Sequence, residues 1–174
     1  KGFVVREACE TPSNWRSEYT LPQLLKEFGV PGIQGLDTRL LTKKIRSRGS
    51  MRALFANPSV SKEEVMALLK EPLAKDQIPR VSTRHSIHFP GEGKRVVLMD
   101  FGYKKNILRS LLRRGCDVVV VPWDSSAASI MKFKPDGVML SNGPGDPKDV
   151  LPTLPVIRTL QEAVPMMAIC MGHQ

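Results

Sequence analysis

Long apolar runs are missing from this chain. No stretch approaches the ~20 residues that a membrane-spanning helix needs, which speaks against a membrane role. The opening KGFVVREACE has neither the apolar core nor the cleavage site of a secretory signal. It also has no initiator Met, so the natural chain is expected to begin earlier. Cysteine is scarce: only Cys9, Cys116 and Cys170 occur. Their odd number and wide spacing argue against a disulfide framework, and no C-x-x-C pair suggests zinc. Reduced thiols in a cytoplasmic compartment are the expectation. Internal repeats, low-complexity tracts and a basic tail are absent as well. Lys and Arg total 26 against 17 Asp and Glu, a net charge of +9. Residues 1–93 carry +5 and residues 94–174 carry +4. An excess spread this evenly lacks the concentrated patch used to bind nucleic acid, so no nucleic-acid partner is expected. An acidic protein partner or an anionic substrate fits the charge equally well.

What is present is an ordinary globular composition, 41% hydrophobic and 25% charged, over 174 residues. That is enough for one large or two small domains. The first half reads as mixed α/β and loop-rich. LPQLLKEFG predicts a short helix stopped by glycine. LDTRLLTKKIRSRG predicts a clearer one, with Asp37 as N-cap, an apolar stripe of Leu36, Leu40, Leu41 and Ile45, and Gly49 as terminator. MRALFA reads as a short strand. SKEEVMALLK reads as a helix in which Ser61 and Glu64 form a capping box. Residues 71–94 hold several prolines and glycines and no sustained period, and predict a linker. The domain boundary is expected near residue 90, giving domains 1–90 and 91–174.

The second half alternates strand-length apolar runs (RVVLMDF, DVVVVPW, DGVMLSN, PMMAIC) with helical segments (KKNILRSLLRRG, SSAASIMKF and the stretch after Pro155). Continuous β-branched and Met-rich runs between helices predict a parallel sheet covered on both faces, a doubly wound α/β domain. Chemistry in such sheets sits at the carboxyl ends of the strands.

Two loops at such ends carry unusual residues. LSNGPGDP, Leu140–Pro147, is a rigid turn whose backbone N–H groups can approach a ligand and stabilise an oxyanion. A plain structural turn explains a bare Gly-rich loop equally well. AICMGHQ places Cys170 between a strand and a turn, with the small Gly172 two places on, as a nucleophile elbow does. The bland alternative is a core cysteine at a strand end. His173 shares the same tight turn and is rejected as the base for Cys170, because its ring is not expected to reach the thiol in line. His85 and His88 fall in the predicted linker and are expected to be solvated. A cysteine nucleophile needs a base within hydrogen-bond reach, and no convincing one is offered. The basic face of the Asp37 helix, with Arg39, Lys43 and Arg46, is either a solvated face or a subunit interface.

These residues together resemble a known family. AICMGHQ is similar to the G-x-C-x-G-x-Q nucleophile motif of class I (triad) glutamine amidotransferases, with Ala168 in place of the first glycine. LSNGPGDP resembles their oxyanion loop. SNWRS and GIQGLDTRLLTKKIRSRGSMRALF resemble the N-terminal domain of carbamoyl-phosphate synthetase small subunits, and DFGYKKNILRSLLRRGCDV resembles the opening strand and helix of their glutaminase domain. The resemblance covers essentially the whole chain.

It implies that Cys170 is a nucleophile that attacks the glutamine carboxamide, forms a thioester and releases ammonia. Backbone N–H groups of Gly143 and Met171 would form the oxyanion hole, and Gly145 and Gln174 would help to hold glutamine. Ammonia would pass to a large synthetase subunit that uses ATP, magnesium and bicarbonate, in the service of arginine and pyrimidine synthesis. No cofactor is expected on this chain. Two alternatives remain. Another class I amidotransferase, such as an anthranilate or GMP synthetase glutaminase, would lack the GLDTR type of N-terminal domain. A non-catalytic interaction subunit would keep the elbow without the triad. The family's catalytic His and Glu lie downstream of the cysteine, so the chain is expected to be a piece of a longer protein, with exposed edges. The 174 residues alone are predicted to release little or no glutamate from glutamine. A steady release above a Cys170→Ser control would refute this.

Overall fold

The structure, a computed structural model, describes residues 2–49, 51–72 and 74–174. The chain divides into two compact units, Lys1–Leu73 and Ala74–Gln174.

In the first unit, β1 (Phe3–Val4) and β2 (Gly32–Ile33) form a short parallel pair. Three helices accompany it: α1 (Leu21–Glu27), α2 (Thr38–Arg48) and α3 (Lys62–Leu68). Their starts are set by side-chain caps, which satisfy N–H groups that the first helical turn leaves without partners. Asp37 accepts from Leu40 N at 2.9 Å. Ser61 and Glu64 form the expected reciprocal box, and Thr20 and Gln23 form a second one. Gly49 closes α2 at φ +79°. The apolar stripe of α2 is present but not buried: Leu40, Leu41 and Ile45 remain 50%, 39% and 43% exposed. The strand expected over Met51–Ala56 does not form. A strand exists only by pairing, and among the described residues this segment has no ladder partner. Arg52 instead donates to Leu69 O at 2.8 Å.

The second unit is built on a five-stranded sheet of order β3-β5-β4-β6-β7. Its strands are β3 (Ile87–Phe89), β4 (Arg95–Asp100), β5 (Asp117–Pro122), β6 (Gly137–Leu140) and β7 (Met166–Ala168). Only β3 runs antiparallel. The period-2 alternation of a strand sends successive side chains to opposite faces. Val97 and Met99 therefore join one core with Ile130 of α6 (Ala127–Met131) and Leu160 of α7 (Leu154–Ala163). Leu98 joins the other core, with Leu108 of α5 (Lys105–Leu112). Burial on both faces is why these strands read as unbroken apolar runs. The expected doubly wound arrangement is thus observed over β4–β7. β7 pairs only with β6 among the described residues, and Met167 on it is 63% exposed. No described helix is long and apolar enough to cross a membrane.

The predicted linker is corrected by the structure. Residues 77–81 form α4 (Gln77–Val81), and 87–89 form β3 on the free edge of β5. The units divide after Leu73, ahead of the boundary expected near residue 90. The segment lacks a readable period because its elements are only a turn or a few residues long. It is held instead by single anchors. Ile78 is 2% exposed in the main core, a burial that contributes about 1.5–3 kcal/mol. His88, expected to be solvated, sets Nε2 against Asp117 Oδ1, while its side chain stays half exposed.

Asp117 also accepts from Arg95 Nε at 2.6 Å, and Arg95 in turn donates to Phe133 O at 3.0 Å. The hydrogen bond from His88, and after it that from Arg95, holds the Asp117 carboxyl below its ordinary value of 3.8. A carboxylate depressed in the folded state adds stability above its unfolded pKa and loses it as pH falls through the folded value. The thermal midpoint is therefore expected to drop from about pH 4 downward. Asp117→Asn should lower the midpoint at neutral pH and flatten that acid limb. Thermal unfolding followed by circular dichroism across this range checks both.

Candidate active site

The carboxyl ends of β4, β6 and β7 converge, and the loops that leave them carry every residue singled out for chemistry. After β7, Ile169 N donates to Leu140 O at 3.1 Å, extending the parallel ladder by one more bond. The backbone then turns. Cys170 adopts φ +54°, one of two non-glycine residues with positive φ among the described residues. For an L-residue this left-handed conformation costs roughly 1–2 kcal/mol. Strain of this kind persists only where the surrounding structure holds it. A short 3-10 turn, Cys170–Gly172, follows. It projects Met171 into the core at 5% exposure and leaves Cys170 exposed.

Gly172 makes the turn possible. A Cβ there would lie 2.5 Å from Leu140 Cβ and 2.8 Å from Leu140 O, closer than real Cβ atoms come. Its N–H lies 3.1 Å from Ser141 O, a direct bond from the elbow to the loop after β6. His173 N and Gln174 N both donate to Cys170 O, at 2.9 and 3.0 Å. Among the described residues no side chain hydrogen-bonds Cys170 Sγ.

The loop after β6 is rigid for reasons that can be named. Ser141 is fully buried; its Oγ accepts from Phe101 N at 2.9 Å and donates to Asn142 O at 2.8 Å. Asn142 accepts from Lys104 N at 3.0 Å and donates to Gly102 O at 3.2 Å. Gly143 lies so close to the chain after β4 that a Cβ would be 2.4 Å from Phe101 O. Its N–H makes no hydrogen bond among the described residues, which leaves it available to a ligand. Gly145, at φ +90°, sits farther along, near Gln77 of α4 and Asp149. Asp146 then accepts from Lys148 N at 2.9 Å and starts a 3-10 turn. The structure therefore joins Cys170, Met171 and Gly172 to the Ser141–Gly143 stretch. Gly145 and Gln174 are exposed at the periphery.

Sequence reasoning passed over Asp100, the last residue of β4, which is 2% exposed. Its Oδ1 accepts from Gly102 N and Tyr103 N at 2.8 and 2.9 Å. Its Oδ2 accepts from Thr83 N at 2.7 Å. The available signal was an acidic residue closing an otherwise apolar strand run. Burial, and after it the Asp100 charge, raises the Tyr103 phenol above its ordinary 10.0.

Comparison with known proteins agrees with this geometry. Residues 97–174 match the family "Glutamine amidotransferase class-I". Residues 1–55 match "Carbamoyl-phosphate synthase small chain, CPSase domain". The chain belongs to the carbamoyl phosphate synthase small-chain family. The carbamoyl phosphate synthase small chain of Listeria monocytogenes serotype 4b (strain F2365) is 52% identical over 100% of this chain and 48% of its own length. The pyrimidine-specific small chain of Bacillus subtilis (strain 168) is 49% identical, with the same coverage of each. The small chain of Fusobacterium nucleatum is 48% identical over 100% of this chain and 49% of its own. The chain thus spans about half the length of these curated relatives. The resemblance read from the two loops and from GLDTR is borne out, and the match over residues 1–55 counts against the other class I amidotransferases.

Positive φ at Cys170 gives a check that needs no substrate. Cys170→Gly should be more stable than Cys170→Ala by about 1 kcal/mol, because glycine relieves the left-handed strain that alanine keeps. Urea unfolding of the two variants measures the difference.

Proposed function

We propose that this chain forms part of the glutamine-hydrolysing subunit of a carbamoyl-phosphate synthetase. The observation that carries the reading is the strained, exposed Cys170 elbow, bonded through Gly172 N to the loop that presents the Gly143 N–H, unpaired among the described residues. In the proposed reaction Cys170 Sγ attacks the side-chain carbonyl carbon of glutamine. The Gly143 and Met171 N–H groups receive the oxyanion of the tetrahedral intermediate. Collapse breaks the C–N bond, and the leaving nitrogen takes a proton and departs as ammonia. Water then cleaves the γ-glutamyl thioester to glutamate and regenerates the thiol. Gly145 and Gln174 are assigned to holding glutamine. The proton leaving Cys170 requires a base, which the family resemblance assigns to residues downstream of the elbow.

Ammonia would pass to a large synthetase subunit, where ATP and magnesium drive its condensation with bicarbonate to carbamoyl phosphate. We assign the product to arginine and pyrimidine synthesis; one curated relative carries the pyrimidine-specific name. All three cysteines are free, which suits the cytoplasm. A second reading, a non-catalytic interaction subunit, draws on one observation: no described side chain hydrogen-bonds Cys170 Sγ.

The two readings part on one experiment with the full natural chain assembled with its synthetase partner. Cys170→Ser should abolish glutamine-dependent carbamoyl phosphate synthesis, with a loss of at least ~10³-fold, and leave synthesis from added ammonia intact. Equal glutamine-dependent rates in wild type and variant would refute the glutaminase reading and favour the interaction subunit.

A further inference from the structure

The turn that follows β4, residues 101–104, has every backbone N–H gripped by one of two elements. Ser141 Oγ takes Phe101 N, Asp100 Oδ1 takes Gly102 N and Tyr103 N, and Asn142 Oδ1 takes Lys104 N. Asn142 Nδ2 returns a bond to Gly102 O. Gly143 is seated directly on Phe101 O, and Pro144 Cδ lies 3.1 Å from where a Cβ on Gly102 would be. The 101–104 turn is therefore the bed on which the Gly143 loop rests, and Asp100 shapes that bed from below. The same carboxylate reaches the α4–β3 segment through Thr83 N. Val81 of that segment closes over Gly102, its Cγ2 2.8 Å from a Cβ position there.

Asp100 is an expensive way to finish a strand. It is 2% exposed and makes no ion pair among the described residues. A buried carboxylate is tolerated only when hydrogen bonds replace its water. Being acceptor-only, it can take donors on both oxygens at once, and here it takes three. An asparagine in its place would face one donor with its own NH₂. Two of the bonds hold the chain leaving β4, the third holds the segment ahead of β3, and none serves the sheet ladder.

We propose that Asp100 is a positioning residue for glutamine hydrolysis, holding the Gly143 loop in place through the Gly102–Asn142 link. This rests on the glutaminase reading above. Asp100 does not touch the reacting atoms in this scheme. It fixes the bed, and the bed fixes where the Gly143 N–H points.

The test uses the full natural chain assembled with its synthetase partner. Asp100→Ala, which removes the acceptor for Gly102 N and Tyr103 N, should lower kcat for glutamine hydrolysis at least ~10-fold and change KM by less than about threefold, because a misplaced oxyanion donor acts on the transition state. Alkylation of Cys170 by iodoacetamide, a displacement that develops no oxyanion, should stay within about twofold of wild type. Amide hydrogen exchange should speed up over residues 141–146 and stay unchanged over β4 and β5. Asn142→Ala cuts the same link from the loop side and should give the same pattern, so it serves if Asp100→Ala does not fold. The double variant should be no more than about twofold slower than the slower single one, as expected for two residues on one link.

An unchanged kcat, a parallel loss of alkylation, fully additive losses, or faster loop exchange without a fall in kcat would each overturn the inference. A wild-type assembly that fails to hydrolyse glutamine overturns the glutaminase reading itself, and this inference with it, before any variant is compared.

Discussion

Parallel pairing of β6 with β4 on one side and β7 on the other determines where three chain segments leave the sheet. In a parallel ladder, register alone decides which strand ends coincide. Leu140 stands opposite Met99 and Ala168, so the chain after β4, β6 and β7 emerges at one level. The extra bond from Ile169 N to Leu140 O and the bond from Gly172 N to Ser141 O carry that alignment past the last paired residues. The close approach of Gly172 to Leu140 and of Gly143 to Phe101 follows from it. Two glycines are needed there because two backbones are brought closer than a side chain allows. The other end of the sheet carries a different set of constraints. There Asp117, Arg95 and His88 join the edge strand β3 to the strand starts, and Lys94 pairs with Asp136 at 3.0 Å. Ion pairs hold the amino end, and close backbone contact with side-chain hydrogen bonds to backbone holds the carboxyl end.

Much of this was readable in the residues alone, for stated reasons. Strands buried on both faces must be apolar throughout, so VVLMD, VVVVP and VML announce themselves. Helix starts at Asp37 and Ser61 were readable because a cap is a local event, decided within three residues. The pairing of the two loops was readable only as a resemblance; the residues alone left a plain turn and a core cysteine open. Three features were out of reach. β3 forms because β5 has a free edge, which is a property of the assembled sheet and not of SIHFP. Met51–Ala56 has strand composition, but composition does not supply a partner. Asp100 was passed over: its donors at Gly102 and Tyr103 are local, but its burial and its third donor, Thr83 N, arise only in the assembled fold.

The first unit shows the limit of pattern from the other side. The stripe on α2 has the spacing of a buried face, yet none of its residues is buried among those described. Amphipathic periodicity states that a helix has a face to cover; it does not state what covers it. In the second unit the same kind of pattern on α5 and α7 is matched by a sheet face, and Leu108 and Leu160 are buried. The difference lies in the presence of a complementary surface within the unit.

Ser141 is fully enclosed, so the direction of its hydroxyl proton is settled by its neighbours. Phe101 N–H donates to the oxygen, and the proton is handed on to Asn142 O. That carbonyl belongs to the same amide group as the Gly143 N–H. Hydrogen bonds in series polarise one another, and a bond accepted at the carbonyl of an amide draws electron density from its nitrogen. The serine hydroxyl thus works as a relay that makes the Gly143 N–H a stronger donor than an ordinary peptide. Two residues on from Ser141, where Gly172 N of the elbow meets this loop, the fold tunes the electronics of the very peptide it has placed.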